Sequence, residues 1–121
     1  MHRHVAGALL AVTALGSSSA RAESINAFLG PILADAPTAA PLNAKCDRIA
    51  KEIERRQAAL EAQTGPATVD ATLKPYDDIV GLIGDAMGEF SLYQQVMADD
   101  ARRKLGGDCQ VRLAALASKL G

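Results

Sequence analysis

Cys46 and Cys109 are the only cysteines of this 121-residue chain, and His2 and His4 are its only histidines. Two thiols cannot fill the four positions of a structural zinc site, and no Cys-x-x-Cys redox pair is present. Both histidines precede residue 23, inside a stretch that reads as removable, so the mature chain is expected to hold none. Without imidazole there is no histidine-based zinc site, no Ser-His-Asp triad and no Cys-His dyad. Asp77-Asp78 and Asp99-Asp100 lack the spacing of a calcium loop and fall near expected helix ends, where they read as solvated carboxylates. Arg102-Arg103-Lys104 reads as a solvated basic face rather than a phosphate site. No catalytic residue, metal ligand or cofactor of this chain's own is expected from these side chains.

The stretch that removes the histidines is a secretory signal in outline. Arg3 gives a positive start, the eleven residues from Val5 to Leu15 carry no charge, and Ala20-Arg21-Ala22 supplies the small-x-small pattern that a signal peptidase cuts after. An apolar run of that length cannot cross roughly 30 Å of hydrocarbon as a helix, so the mature form is expected to have no membrane anchor. Export to the periplasm or the extracellular space is the expectation. Loss of residues 1–22 removes Arg3 and Arg21 and no acid. The remaining 11 basic and 14 acidic residues then give a net charge of −3. A mildly acidic domain has no electrostatic reason to seek nucleic acid. Its aromatics, Phe28, Tyr76, Phe90 and Tyr93, offer little for base stacking.

The rest of the chain divides into a leader and linker over 23–41 and a helical domain over 42–121. Phe28, Leu29, Ile32 and Leu33 fit a short helix interrupted by Gly30-Pro31, and Pro37 and Pro41 read as linker. From Leu42 onward, Leu42, Cys46, Ile49, Ile53 and Leu60 recur on one helical face, and Gly65-Pro66 ends the pattern. A second helix starts near Thr68, a good N-cap with Asp70 in the first turn, and Pro75 predicts a kink or a late true start. Val69, Leu73, Tyr76, Val80, Ile83 and Met87 form its expected stripe, while Gly81, Gly84 and Gly88 loosen its later half. After a connector over 91–97, a third helix runs from about Ala98 to Leu120 on Ala101, Leu105, Cys109, Leu113, Leu116 and Leu120. Gly106-Gly107 is its expected weak point. With no alternating strand pattern, the fold class is all-α: an antiparallel helical hairpin or three-helix layer.

Cys46 and Cys109 both fall on apolar stripes and admit two readings. They are either small hydrophobic core residues or a disulfide formed in an oxidising compartment. The bridge requires the first and third helices to be neighbours.

The segment from Thr68 to Asp77, Thr-Val-Asp-Ala-Thr-Leu-Lys-Pro-Tyr-Asp, resembles a landmark in the N-terminal helical region of the thimet oligopeptidase and oligopeptidase A family of zinc metallopeptidases. Thr68, Asp70, Thr72, Leu73 and Pro75 carry the likeness, and Ala71 stands where the family commonly has Asn. Val96, Asp99 and Arg103 resemble the family's next helix. The resemblance covers roughly residues 42–120 and implies a helical wall beside the substrate channel of a larger enzyme that cuts short peptides. The family's zinc is held by a His-Glu-x-x-His helix and a further Glu, none of which exists here, so no catalytic or zinc position carries over.

Two readings of function follow. In the first, the chain is the N-terminal portion of an exported zinc metallopeptidase, inactive alone, with a peptide substrate only in a full-length parent. The ending inside an amphipathic helix at Ser118-Lys119-Leu120-Gly121 favours it. In the second, the chain is a stand-alone periplasmic helical module that binds a protein partner. Self-association through exposed apolar faces is expected of a severed wall.

Overall fold

The computed structural model describes residues 24–33 and 38–121, and among these every regular element is helical. The expected signal segment, with Ala20 and Ala22, lies outside the described residues. Helix α1 spans Ile25–Leu29, capped by Ser24, whose hydroxyl accepts from the Ala27 amide at 3.2 Å. It stops at Gly30, where φ is +72°, a conformation natural to glycine. Leu29 belongs to the core, and Arg48 donates to the Phe28 carbonyl at 2.7 Å while its guanidinium stacks 4.8 Å above the Phe28 ring. The leader is therefore fastened to the helix that follows it.

Helix α2 spans Ala39–Glu61, beginning three residues before the expected start near Leu42. Pro41 sits in its first turn, where an N–H has no intrahelical partner and its absence costs nothing. The buried face carries Leu42, Cys46, Ile49 and Ile53, as the spacing predicted, with Ala50 added and Leu60 only partly buried at the core's edge. The helix ends at Glu61, ahead of the expected stop. Gly65, with φ of +102°, turns the link beyond it rather than capping it.

Thr68 then caps a π-helical turn, Val69–Leu73, by accepting from the Ala71 amide at 3.0 Å. The turn passes into α3, Lys74–Val96, with Pro75 in its first turn. Proline's ring crowds the carbonyl four residues back, and the wider π turn opens the ladder where that collision falls. The late start expected from Pro75 is thus a change of helical register.

Two expectations about α3 are corrected. The stretch 91–97 is no connector: α3 continues through Val96 and buries Tyr93, and only residues 97–99 separate it from α4. The expected stripe also holds only in its later part, where Ile83 is buried and Met87 half-buried. Ile79, Leu82, Ile83, Ala86, Phe90 and Tyr93 face the core, whereas Val69, Leu73, Tyr76 and Val80 are exposed. Both sets recur at helical spacing, so periodicity alone could not choose between them.

Helix α4 spans Asp100–Ala117, capped by Asp99, which accepts from the Arg102 amide at 2.9 Å. Cys109, Leu113 and Leu116 are buried, Leu105 and Leu120 pack at the core's edge, and Ala101 is exposed. A 3-10 turn, Ser118–Leu120, follows. Helix α4 runs unbroken through Gly106-Gly107. Gly106 is buried where α4 crosses α3, and a Cβ there would lie 2.7 Å from the Gln94 nitrogen and 2.8 Å from the Phe90 carbonyl oxygen. Gly84 and Gly88 have open space around them and a Cβ at Gly81 would meet the Ile25 side chain at 3.0 Å, so the approach of one helix backbone to another belongs to α4's glycine. Each of the three long helices packs against the other two around one apolar core.

Candidate partner-binding face

Val69, Leu73, Tyr76 and Val80 follow one another at separations of 4, 3 and 4, the repeat that places residues along one side of a helix. They are 61%, 58%, 40% and 44% exposed. Below Val80 the same line rotates into the bundle, burying Ile83 and half-burying Met87. The seam therefore begins outside the domain and ends in its core.

Concave surface flanks the seam. A cleft of about 320 Å³ lies between Leu60 of α2 and the π turn, lined by Ala67, Thr68, Val69, Thr72, Leu73 and Tyr76. Tyr76 and Val80 also border a small hollow of about 130 Å³ against Ala117 and Leu120. On the far side of Leu60 a larger cleft, about 680 Å³, is walled by Phe28, Ala59, Ala71 and Pro75, with Glu52, Arg55, Arg56, Gln63 and Asp78 at its polar edge. Leu60 and Tyr76 are the shared walls that join the three hollows.

Glu52 organises the polar edge. Arg55 donates to both its oxygens, at 2.8 and 2.7 Å, and Arg56 adds a bond of 2.7 Å. The hydrogen bond from Arg55 has the largest effect, partial burial opposes it, and Arg56 reinforces it. Together they hold the Glu52 carboxyl down at about 2, so it stays ionised between its two guanidiniums.

The residues that carry the family resemblance fall along this face in local structural roles. Thr68 is the cap, and Asp70 pairs with Lys74 in the open. Thr72 donates to the Gln63 side chain at 3.3 Å, Leu73 lies in the seam, and Pro75 lines the large cleft. Val96 is exposed, Asp99 is a cap, and Arg103 donates to the Met97 and Ala98 carbonyls at 2.8 and 2.9 Å, tying the α3–α4 link to α4.

Cys46 and Cys109 are brought together as a disulfide between α2 and α4, with Cα atoms 6.1 Å apart and both side chains buried. Gln57 supplements it by donating to the Leu116 carbonyl at 3.0 Å. The covalent and polar ties hold α2 and α4 beside α3, whose outer side is the seam.

One buried cluster escaped the sequence reading. Lys45 Nζ lies 2.5 Å from a Glu89 oxygen, with both side chains buried, and Tyr93 donates its hydroxyl to the same oxygen. The Tyr93 oxygen in turn accepts from the Leu33 amide at 3.1 Å. Leu33 holds φ of +65°, uncommon outside glycine, and this anchor at the residue after Pro31 and Ile32 helps fix it. Lys45 sits among the many charges of α2 and Glu89 four residues after the exposed Asp85 on α3, so nothing in their spacing marked them as a pair.

Among the described residues, no group of three or more His, Cys, Asp or Glu could hold a metal ion. No described helix is long and apolar enough to cross a membrane. The face offers hydrophobic surface, concavity and fixed charge, which is the chemistry of binding. The sequence matches no protein-family model, no curated protein and no solved structure.

Proposed function

We propose that this chain is an exported, disulfide-stapled helical module that binds a protein partner through the outer face of α3. One observation carries the reading: the domain completes a core of its own while four apolar side chains at heptad spacing stay in solvent beside joined clefts. Site-specific photo-crosslinking in the producing cell tests it. A crosslinker at Leu73 or Val80 traps a partner, and one at Val111, exposed on α4 outside the clefts, does not. Equal trapping from all three positions, or none, overturns the reading.

The metallopeptidase reading is a second proposal: the N-terminal helical wall of an exported zinc oligopeptidase, inactive alone. Its support is that the segment with the family resemblance is the one that exposes Val69 and Leu73, as a wall awaiting the body of an enzyme does. Zinc and short peptide substrates belong there to the full-length parent. Reading the gene beyond codon 121 tests it: a helical continuation leading to His-Glu-x-x-His is expected, and a stop followed by an unrelated gene overturns it. Zinc-dependent peptide cleavage by purified residues 23–121 would overturn the inactivity that both readings share.

A further inference from the structure

We infer that the partner of the α3 seam is an amphipathic helix whose apolar face is flanked by lysine or arginine; this rests on the reading of that seam as the docking face. The first ground is shape. Val69 to Val80 covers twelve residues, eleven steps or about 16 Å of helix, and presents side chains at the spacing by which one helix reads another. Leu60 and Leu120 border this line at its two ends, so the seam forms the floor of a shallow groove.

The second ground is charge. Asp70 and Asp77 each follow a seam residue by one position and are seven residues apart, so they recur along the outer flank of the seam, with Lys74, which follows Leu73, standing between them and leaving the flank net acidic. The corresponding inner positions, Thr72 and Ile79, carry no charge. Among the described residues Asp77 makes no ion pair, and Asp70 pairs only with Lys74, in the open. A second copy laid antiparallel would set Asp70 against Asp77 of the other chain, twice. A parallel copy would set Asp77 against Thr72. Neither gives Asp77 a counter-charge, and like charges across a helix seam suppress pairing. A helix with basic flanks gives Asp77 a counter-charge and Asp70 a second one beside the exposed Lys74.

The third ground is size. Four half-exposed side chains offer on the order of 400 Å², half of the about 800 Å² that each partner buries in a stable interface. That area suits a single docked helix.

Two synthetic 18-residue helices test the inference by fluorescence anisotropy on the oxidised chain. Both carry a leucine face, flanked by lysine in one and by glutamate in the other. The lysine probe is expected to bind, and Leu73→Ser with Val80→Ser to weaken it by about tenfold or more. Asp70→Lys with Asp77→Lys is expected to transfer the preference to the glutamate probe, and Val111→Ser to leave binding unchanged. All these positions are exposed, so an unchanged helical circular dichroism spectrum accompanies each variant. If the glutamate probe binds the unaltered chain as well as the lysine probe, the partner's charge is overturned and the docking face stands. If neither probe responds to the seam substitutions, both fall. Sedimentation showing a dimer that the seam substitutions dissolve assigns the face to a second copy and overturns the inference.

Discussion

Replacing Gly106 by alanine is expected to destabilise this domain, although the same change at Gly88 is expected to stabilise it. Both residues lie inside long helices, where alanine is favoured over glycine by about 1 kcal/mol. At Gly88 a Cβ meets nothing within 4 Å, so that gain is realised in full. At Gly106 the new methyl would stand 2.7 Å from the Gln94 nitrogen and 2.8 Å from the Phe90 carbonyl oxygen. Both are backbone atoms of α3, which cannot rotate aside as a side chain can. To reach ordinary contact, α3 and α4 must part by more than half an ångström along the line where Phe90 and Tyr93 pack. Overpacking of this kind costs about 1–3 kcal/mol, and rigid obstacles put this site near the upper end. After the helix-propensity gain, a net loss of about 2 kcal/mol remains for Gly106→Ala, against a gain of about 1 kcal/mol for Gly88→Ala. For a domain of this size that separates the two melting temperatures by roughly 12–24 °C. Thermal and urea unfolding followed at the helical band measure it. A Gly106→Ala protein as stable as the parent would refute the close crossing of α3 and α4.

Further outcomes are expected. Removing the disulfide with Cys46→Ala and Cys109→Ala opens a loop of 63 positions and is expected to cost about 2–4 kcal/mol in urea unfolding; a smaller loss than 1 kcal/mol means the bridge only decorates a self-sufficient bundle. Lys45→Met leaves the Glu89 carboxylate buried without its ammonium and should cost about 3 kcal/mol, whereas Lys45→Met with Glu89→Leu should recover most of that; equal losses would deny the pair. Glu52, held at about 2 when folded against an ordinary 4.5, binds its proton less readily in the native state. Its contribution is therefore whole above about pH 4.5 and is lost as pH falls toward 2. Glu52→Gln should flatten the unfolding free energy across that window, and an unchanged acid slope would show the carboxylate to be idle.

The helices and several of their ends were legible because their signals are local. Thr68 is a cap residue with Asp70 in the turn that follows it, and Pro75 cannot enter a helix interior without a change in the ladder. The face of α3 was not legible. Its sequence is apolar on two sides, and only contact with α2 and α4 decides that Ile79 and Leu82 are buried while Val80 is exposed. Ser91 and Gln94-Gln95 made 91–97 look like a link, because polar residues on either side of Leu92-Tyr93 blurred a period that three-dimensional packing restores. Gly106 read as a weakness because the sequence records a missing side chain and not the backbone that fills its place. The Lys45–Glu89 pair was beyond reach for a related reason: 44 residues separate partners that each resemble ordinary surface charge.

The bond between Cys46 and Cys109 closes a covalent ring around all of α3 and both of its connections. The link between α2 and the π turn is the ring's exposed stretch, with residues 64–68 in solvent. A protease that cuts there breaks the chain without dividing the molecule. The nicked product keeps its mass on a non-reducing gel and separates into two pieces only when a thiol is added. Wherever such proteases are met, continuity of the main chain and integrity of the domain become separate properties, and the seam on α3 remains tethered after the first has been lost.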